Sequence, residues 1–208
     1  MKIVIFGATG SVGRYVVEEA LSQGHEVIAF ARNPLSLNLE HPKLALFAGD
    51  VFNYQSVLAS LCDCDAALIS LGSKKLTGKV RSVGTANIVK AMQHLGVKRL
   101  ICQTTLGIGD SYACLNFYWK YLMFGFLLRS VFKDHIVQED IVRQSPLEWT
   151  IVRPSAFSDK AINGAIKQGS LLAKENLSLK ITRPDVARFM LQQLQDQHYL
   201  RQSPGLSY

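Results

Sequence analysis

Gly7, Gly10 and Gly13 stand in the run Gly7-Ala8-Thr9-Gly10-Ser11-Val12-Gly13, directly after the apolar stretch Lys2 to Phe6. Glycines placed where a strand turns into a helix have separate tasks: a tight exit from the strand, close approach of backbone to a diphosphate, and close packing of helix on strand. The amides of Ser11 and Val12 at the helix start then point at phosphate oxygens, with the positive end of the helix dipole behind them. A three-glycine pattern alone is weak. Set between a strand and a helix, it predicts a dinucleotide site.

The second apolar run, Glu26-Val27-Ile28-Ala29-Phe30-Ala31, ends on Arg32. An acidic residue at that end, about 20 residues after the glycine turn, would bond the ribose hydroxyls of NAD. A guanidinium there instead offers a planar fork to a 2′-phosphate, so NADPH is expected over NADH. Asp50, in Ala48-Gly49-Asp50-Val51, could accept from the adenine amino group while Val51 packs on the ring. It could equally cap the helix beginning near Tyr54. Leu71-Gly72-Ser73 is placed to meet ribose and phosphates, with Lys74 and Lys75 adding positive charge or standing as solvated surface.

These residues need a frame to bring them together. Lys2 to Phe6, Glu26 to Phe30, Leu44 to Ala48, Asp65 to Leu71, Arg99 to Gln103 and Trp149 to Val152 read as strands, nearly continuously apolar. Helical periodicity fills the gaps at Ser11 to Gln23, Tyr54 to Leu61, Gly78 to Leu95, Val131 to Gln144 and Pro184 to Gln195. Alternation of this kind implies an α/β fold of the doubly wound, Rossmann type, with a mainly parallel sheet and helices on both faces. Ligands of such sheets bind beyond the carboxyl ends of the strands. At 208 residues, one domain over 1–208 is expected, with a small C-terminal portion on the substrate side and a loose tail from Gln202 to Tyr208.

Composition narrows the partners. The formal charge of +7 comes from scattered basic residues, the densest group being Lys74, Lys75, Lys79 and Arg81. No basic block or nucleic-acid motif accompanies them, so no nucleic-acid partner is expected. Cys62, Cys64, Cys102 and Cys114 form neither a C-x-x-C pair nor a zinc pattern; buried thiols, no disulfides and no metal are expected. The apolar run at the N-terminus is too short for a secretory leader, so a cytoplasmic setting is expected.

The glycine run, Gly49-Asp50-Val51, His135-Ile136-Val137-Gln138-Glu139 and Thr150-Ile151-Val152-Arg153-Pro154-Ser155-Ala156-Phe157 together resemble the atypical short-chain dehydrogenases of the NmrA-like kind. Within that family the likeness is greatest to the branch of NADPH-dependent flavin and biliverdin-IXβ reductases. It covers nearly the whole chain and is weakest from Gly107 to Phe132. The resemblance implies a monomeric reductase that passes hydride from NADPH to a flavin or bilin, the flavin being substrate rather than prosthetic group. Carried over by position, Gly7, Thr9, Gly10, Ser11, Val12, Gly13, Arg32, Asp50, Val51, Leu71, Gly72, Ser73 and Gln103 would hold the cofactor. Pro154, Ser155, Ala156 and Phe157 would lie beside the nicotinamide. His135 takes the place of the lysine in the K-x-x-x-E pattern of many relatives and would orient the nicotinamide ribose, the alternative being a helix-surface imidazole. Two departures stand out: Ser36 occupies the place of a second arginine that supports the 2′-phosphate, and Gln103-Thr104-Thr105 replaces a loop ending in Thr-Ser. The family also contains non-catalytic NADP(H)-binding sensors and assembly factors, which remain a second reading.

No tyrosine lies four residues before a lysine, so the acid pair that protonates a carbonyl in ordinary short-chain dehydrogenases is absent. Reduction of a conjugated ring needs no such acid and rests on holding two flat rings face to face. Thr105, supported by Thr104, is the candidate donor to that acceptor. Residues 111–128 gather Tyr112, Phe117, Tyr118, Trp119, Tyr121, Phe124 and Phe126. Three readings are open for them: a roof over a flat substrate, an internal helix, or peripheral contact with membrane or partner; the run is too short to span a bilayer. The electrostatic reading of Arg32 is testable directly. Arg32→Glu raises the KM for NADPH about tenfold or more, the value of a charge-assisted hydrogen bond, and leaves the KM for NADH little changed; an unaltered preference contradicts it.

Overall fold

The computed structural model describes residues 1–73, 78–159, 164–169 and 176–208. Strands β1 (Lys2–Phe6), β2 (Glu26–Ala31), β3 (Leu44–Ala48), β4 (Ala66–Ile69), β5 (Arg99–Gln103) and β6 (Glu148–Pro154) pair in the order β3-β2-β1-β4-β5-β6, all parallel. That is the order of a dinucleotide-binding sheet, with the reversal between β1 and β4 opening a crevice at their carboxyl ends.

The period-2 alternation of the strands decides which residues meet which helices. Ile3 and Ile5 of β1 pack on one face with Val16, Val17 and Ala20 of α1 (Gly13–Ser22). Val186, Phe189 and Met190 of α5 (Arg183–Gln192) join that layer. Val4 and Phe6 face the other way, onto α2 (Tyr54–Ser60) and α3 (Val80–Leu95), through Val57, Ile88 and Met92. Val142 of α4 (Arg129–Gln144) completes that side. The edge strand β3 departs from the expected double burial: Leu46 is 40% exposed.

The tail is not a loose end. Gly205–Ser207 forms β10, parallel to β6 on one side and antiparallel to β8 (Lys167–Gly169) on the other, and extends the main sheet. Leu206 and Ser207 are fully buried, and Leu206 O accepts from Ser155 N at 2.9 Å. Three residues with one large apolar side chain show no periodicity, so the pairing comes from the edge that β6 presents. A second, small sheet joins β7 (Ala156–Ser158) to β9 (Lys180–Thr182). Cys64 and Cys102 are buried as expected, whereas Cys62, in the turn after α2, is exposed. None of the described helices is long and apolar enough to cross a membrane. Truncating the buried tail residue, Leu206→Ala, lowers the unfolding free energy by about 2–5 kcal/mol. Denaturant titration checks this, and a loss below 0.5 kcal/mol, as at an exposed site, contradicts the burial.

Candidate active site

The carboxyl ends of β1 to β6 open on a cleft of about 1010 Å³. Gly7 forms its floor with φ +84°, and a Cβ there would stand 2.3 Å from Ser70 O, so the turn admits no side chain. Gly13 does not line the cleft; its Cβ would lie 2.1 Å from Gly7 O, which makes it the helix-on-strand packing residue. Thr9, Gly10, Ser11 and Val12 do line it. No side chain caps the start of α1 and its first turn holds no acid, so the positive helix end faces the cleft uncompensated.

Arg32 lies exposed at one end of the cleft and makes no ion pair or hydrogen bond among the described residues. Asp50 lines the same end, half-buried, and its Oδ1 accepts from Phe52 N at 3.0 Å. It does not cap α2: Asn53 does, accepting from Gln55 N at 3.0 Å and Ser56 N at 3.2 Å. Val51 is buried beside it, and Phe52, which sequence reasoning passed over, lines the cleft at 52% exposure. Leu71, Gly72 and Ser73 line the middle, while Lys74 and Lys75 fall outside the described residues.

At the other end, Gln103 accepts from Ser70 Oγ through Oε1 at 2.7 Å. Thr104 lines the cleft but is buried, and its hydroxyl is engaged, donating to Glu139 Oε1 at 2.8 Å. Thr105 is half-buried, lines the cleft, and reaches only Leu106 O, at 3.4 Å. Pro154, Ser155, Ala156 and Phe157 line the cleft at the end of β6. The Ser155 hydroxyl is buried without a hydrogen-bond partner among the described residues. An orphaned donor in a cleft wall is a place for a ligand oxygen.

What holds this end in place is a charged cluster with a buried centre, Glu139 and Arg153, and a more exposed rim, Arg143 and Asp110. Glu139 of α4 accepts from Arg153 Nε at 2.9 Å and Nη2 at 2.7 Å, a bidentate pair with both side chains 1% exposed. Arg143 Nη2 adds a third cation contact at 3.3 Å, and Asp110 Oδ1 accepts from Arg153 Nη1 at 2.6 Å. With the Thr104 hydroxyl, the cluster ties α4 to the ends of β5 and β6.

Two further ties join α3 to α4. Asp134 of α4 accepts from Arg81 N and Ser82 N, both at 3.1 Å, and from Ser82 Oγ at 2.5 Å, capping α3 from a neighbouring helix. Gln138 donates to Thr85 Oγ1 at 3.1 Å and toward Cys102 Sγ at 3.4 Å, leaving its Oε1 on His135 Nδ1 at 3.0 Å. This pattern assigns the His135 proton to Nδ1 and leaves Nε2 an acceptor. His135 is buried and lines the cleft, not the helix surface. Burial, reinforced by nearby Arg81, brings its pKa from 6.5 down to about 3.

The aromatic stretch forms a π-helix, Tyr118–Leu127, closed by a Leu128 N to Met123 O bond of 2.6 Å. None of its ten residues is buried, so the internal-helix reading fails. Its inner face roofs the cleft: Trp119 and Phe124 line it, their rings 5.6 Å apart, and Phe124 stacks on Phe132 of α4 at 4.4 Å and 19°. Its outer face is open, with Phe126 and the preceding Phe117 each 77% exposed.

The folded state holds His135 neutral while the unfolded chain protonates it near pH 6.5, so its contribution to stability is complete above pH 6.5 and is lost as pH falls toward 3. Its imidazole resonances stay flat from pH 5 to 8 in NMR titration of the native protein; an inflection near pH 6 contradicts the buried acceptor.

Comparison with known proteins fits this geometry. The NAD(P)H-binding family matches residues 7–197. An isoflavone reductase homologue of Nicotiana tabacum is 32% identical over 110 residues, 48% of this chain and 34% of that protein, so the chain spans about a third of that relative. A 3-beta-hydroxysteroid dehydrogenase of Mycolicibacterium neoaurum is 34% identical over 48% of this chain and 31% of its own. Among solved structures, an oxidoreductase of Lactococcus lactis superposes with TM-score 0.82 at 22% identity, over 99% of this chain and 90% of its own. A Veillonella parvula short-chain dehydrogenase/reductase in complex with NADP gives 0.80 at 17%, over 100% and 94%. ChuY, an anaerobilin reductase of Escherichia coli, gives 0.77 at 22%, over 99% and 96%. These superpositions establish the Rossmann-like fold, and the family match over residues 7–197 establishes more: this chain belongs to the NAD(P)H-binding family.

Proposed function

We propose that this protein is an NADPH-dependent reductase of flat conjugated acceptors, flavins or linear tetrapyrroles such as biliverdin. The observation that carries the reading is the aromatic roof of Trp119, Phe124 and Phe132 across the cleft from Thr105 and Ser155. Aromatic side chains at the end where a nicotinamide would lie suit a flat conjugated ring. The bilin reductase ChuY shares the fold, which is consistent with that acceptor class.

The residues present fit the dinucleotide: a glycine turn that a Cβ would fill, an uncapped helix end and an orphaned Ser155 hydroxyl. Arg32 would take the 2′-phosphate, Asp50 and Val51 the adenine, and Ser11 and Val12 amides the diphosphate. Ser155 would donate to the nicotinamide carboxamide and His135 Nε2 would accept from its ribose. When bound, NADPH supplies the hydride. Thr105 donates to the acceptor and fixes its orientation; Thr104, turned to Glu139, holds Thr105 rather than touching substrate. The roof keeps the acceptor flat and excludes water from one side. With no Tyr-x-x-x-Lys pair, the balancing proton comes from solvent at the open side, and the conjugated ring carries the charge until it arrives.

A second reading, a non-catalytic NADP(H)-binding sensor or assembly factor, is favoured by the exposed outer aromatics Phe117 and Phe126. One assay separates the two. Purified protein with NADPH and FMN, FAD or biliverdin oxidises the nicotinamide well above the protein-free rate if it is a reductase; tight NADPH binding without turnover favours the sensor. Thr105→Val then lowers turnover about 2- to 10-fold, the worth of one net hydrogen bond, with NADPH affinity intact. Unchanged turnover makes Thr105 structural.

A further inference from the structure

Arg81 stands at the seam of α3 and α4 and lines the cleft, yet only 8% of it is exposed. Its Nε has no hydrogen-bond partner among the described residues. Its one ion pair among the described residues, to Asp134 Oδ2, is 3.8 Å long, beyond hydrogen-bond reach. Asp134 is held in place by other donors: Oδ2 accepts from the Arg81 amide, and Oδ1 from the Ser82 amide and hydroxyl. A buried guanidinium Nε–H left without a partner is costly and suits an oxyanion.

We propose that Arg81 is an oxyanion-binding residue of the cleft, taking a phosphate or carboxylate oxygen of a bound molecule on the Nε edge of its guanidinium. Its neighbours suggest two sources for that group. On one side α3 packs through Gly84 against Val51 and Leu71, next to the stretch Gly72-Ser73 expected at the cofactor's phosphates. On the other side stands His135, below the roof where the acceptor would lie. The oxyanion therefore belongs either to the cofactor's diphosphate or to a charged substituent of the acceptor. The inference rests on the dinucleotide reading of the cleft but not on reductase activity.

The test uses Arg81→Gln and Arg81→Lys in the full chain. Asp134 keeps the two α3 amides and the Ser82 hydroxyl in both variants, so α3 stays capped, and melting temperature verifies folding. Where Gln does not fold, Lys keeps the charge beside Asp134 and still removes the fork. NADPH affinity is read from nicotinamide fluorescence. Acceptor affinity is read, with NADP present, from quenching by FMN against riboflavin and by biliverdin against its dimethyl ester, pairs that differ in oxyanion alone. Weakening of about tenfold in NADPH binding assigns the cofactor's diphosphate. The same weakening confined to FMN or biliverdin assigns the acceptor. Folded variants that bind all of these within twofold of the parent overturn the inference, as does a parent that binds none. Lost NADPH affinity in a protein that reduces no acceptor sinks the reductase and keeps Arg81.

Discussion

The bidentate pair between Arg153 and Glu139 is the constraint on which the acceptor end of the cleft depends. Removing two charges from water costs several kcal/mol each, and such a pair does little better than break even against apolar residues of the same volume. Its value here is geometric. Arg153 immediately precedes Pro154 and Ser155, Glu139 lies one turn beyond His135, and the Thr104 hydroxyl joins them from the end of β5. One carboxylate therefore sets the relative positions of three cleft walls. Loss of either partner would strand a buried charge, at a cost of about 3–5 kcal/mol.

Around that cluster the molecule divides its tasks by face. The α1 face supplies the uncapped helix end and glycine turn for a phosphate, and the α3–α4 face supplies polar side chains locked by one another. Asp134 caps α3 from α4, and Gln138 fixes the tautomer of His135 while reaching Thr85 and Cys102. Asp134, Gln138 and His135 on that seam are each held by a partner, whereas Arg81 Nε has none among the described residues. The π-helix ahead of α4 suits this arrangement, since such turns interrupt regular helices where a functional surface needs its side chains re-aimed.

Sheet and glycine turn were legible because their causes are local. Alternation in Ile3, Val4, Ile5 and Phe6 sends successive side chains to opposite layers, and Gly13 answers to Gly7 O six residues earlier. Strand and helix ends shifted by one to three residues, as at β4, Ala66–Ile69 against Asp65 to Leu71, where solvation competes with pairing at the margins. What stayed hidden depends on distant partners. Nothing in Gly205-Leu206-Ser207 announces a strand until β6 offers an edge. The competition between Asp50 and Asn53 to cap α2 is decided by geometry that residue type cannot express. Arg81 reads as one more surface cation until α4 buries it, and the aromatic density at 111–128 was visible without its division into an inner and an outer face.

The proposed phosphate site at one end, two locked walls at the other and an aromatic roof make a single claim: two flat rings can lie in contact in this cleft, one held by the protein and one admitted. A crystal structure with NADP and FMN tests it most directly. The account predicts the 2′-phosphate at Arg32, the diphosphate on the Ser11 and Val12 amides, and the isoalloxazine between the nicotinamide and the Trp119–Phe124 wall. A nicotinamide whose free face is covered by protein, or a glycine turn without phosphate, would contradict it.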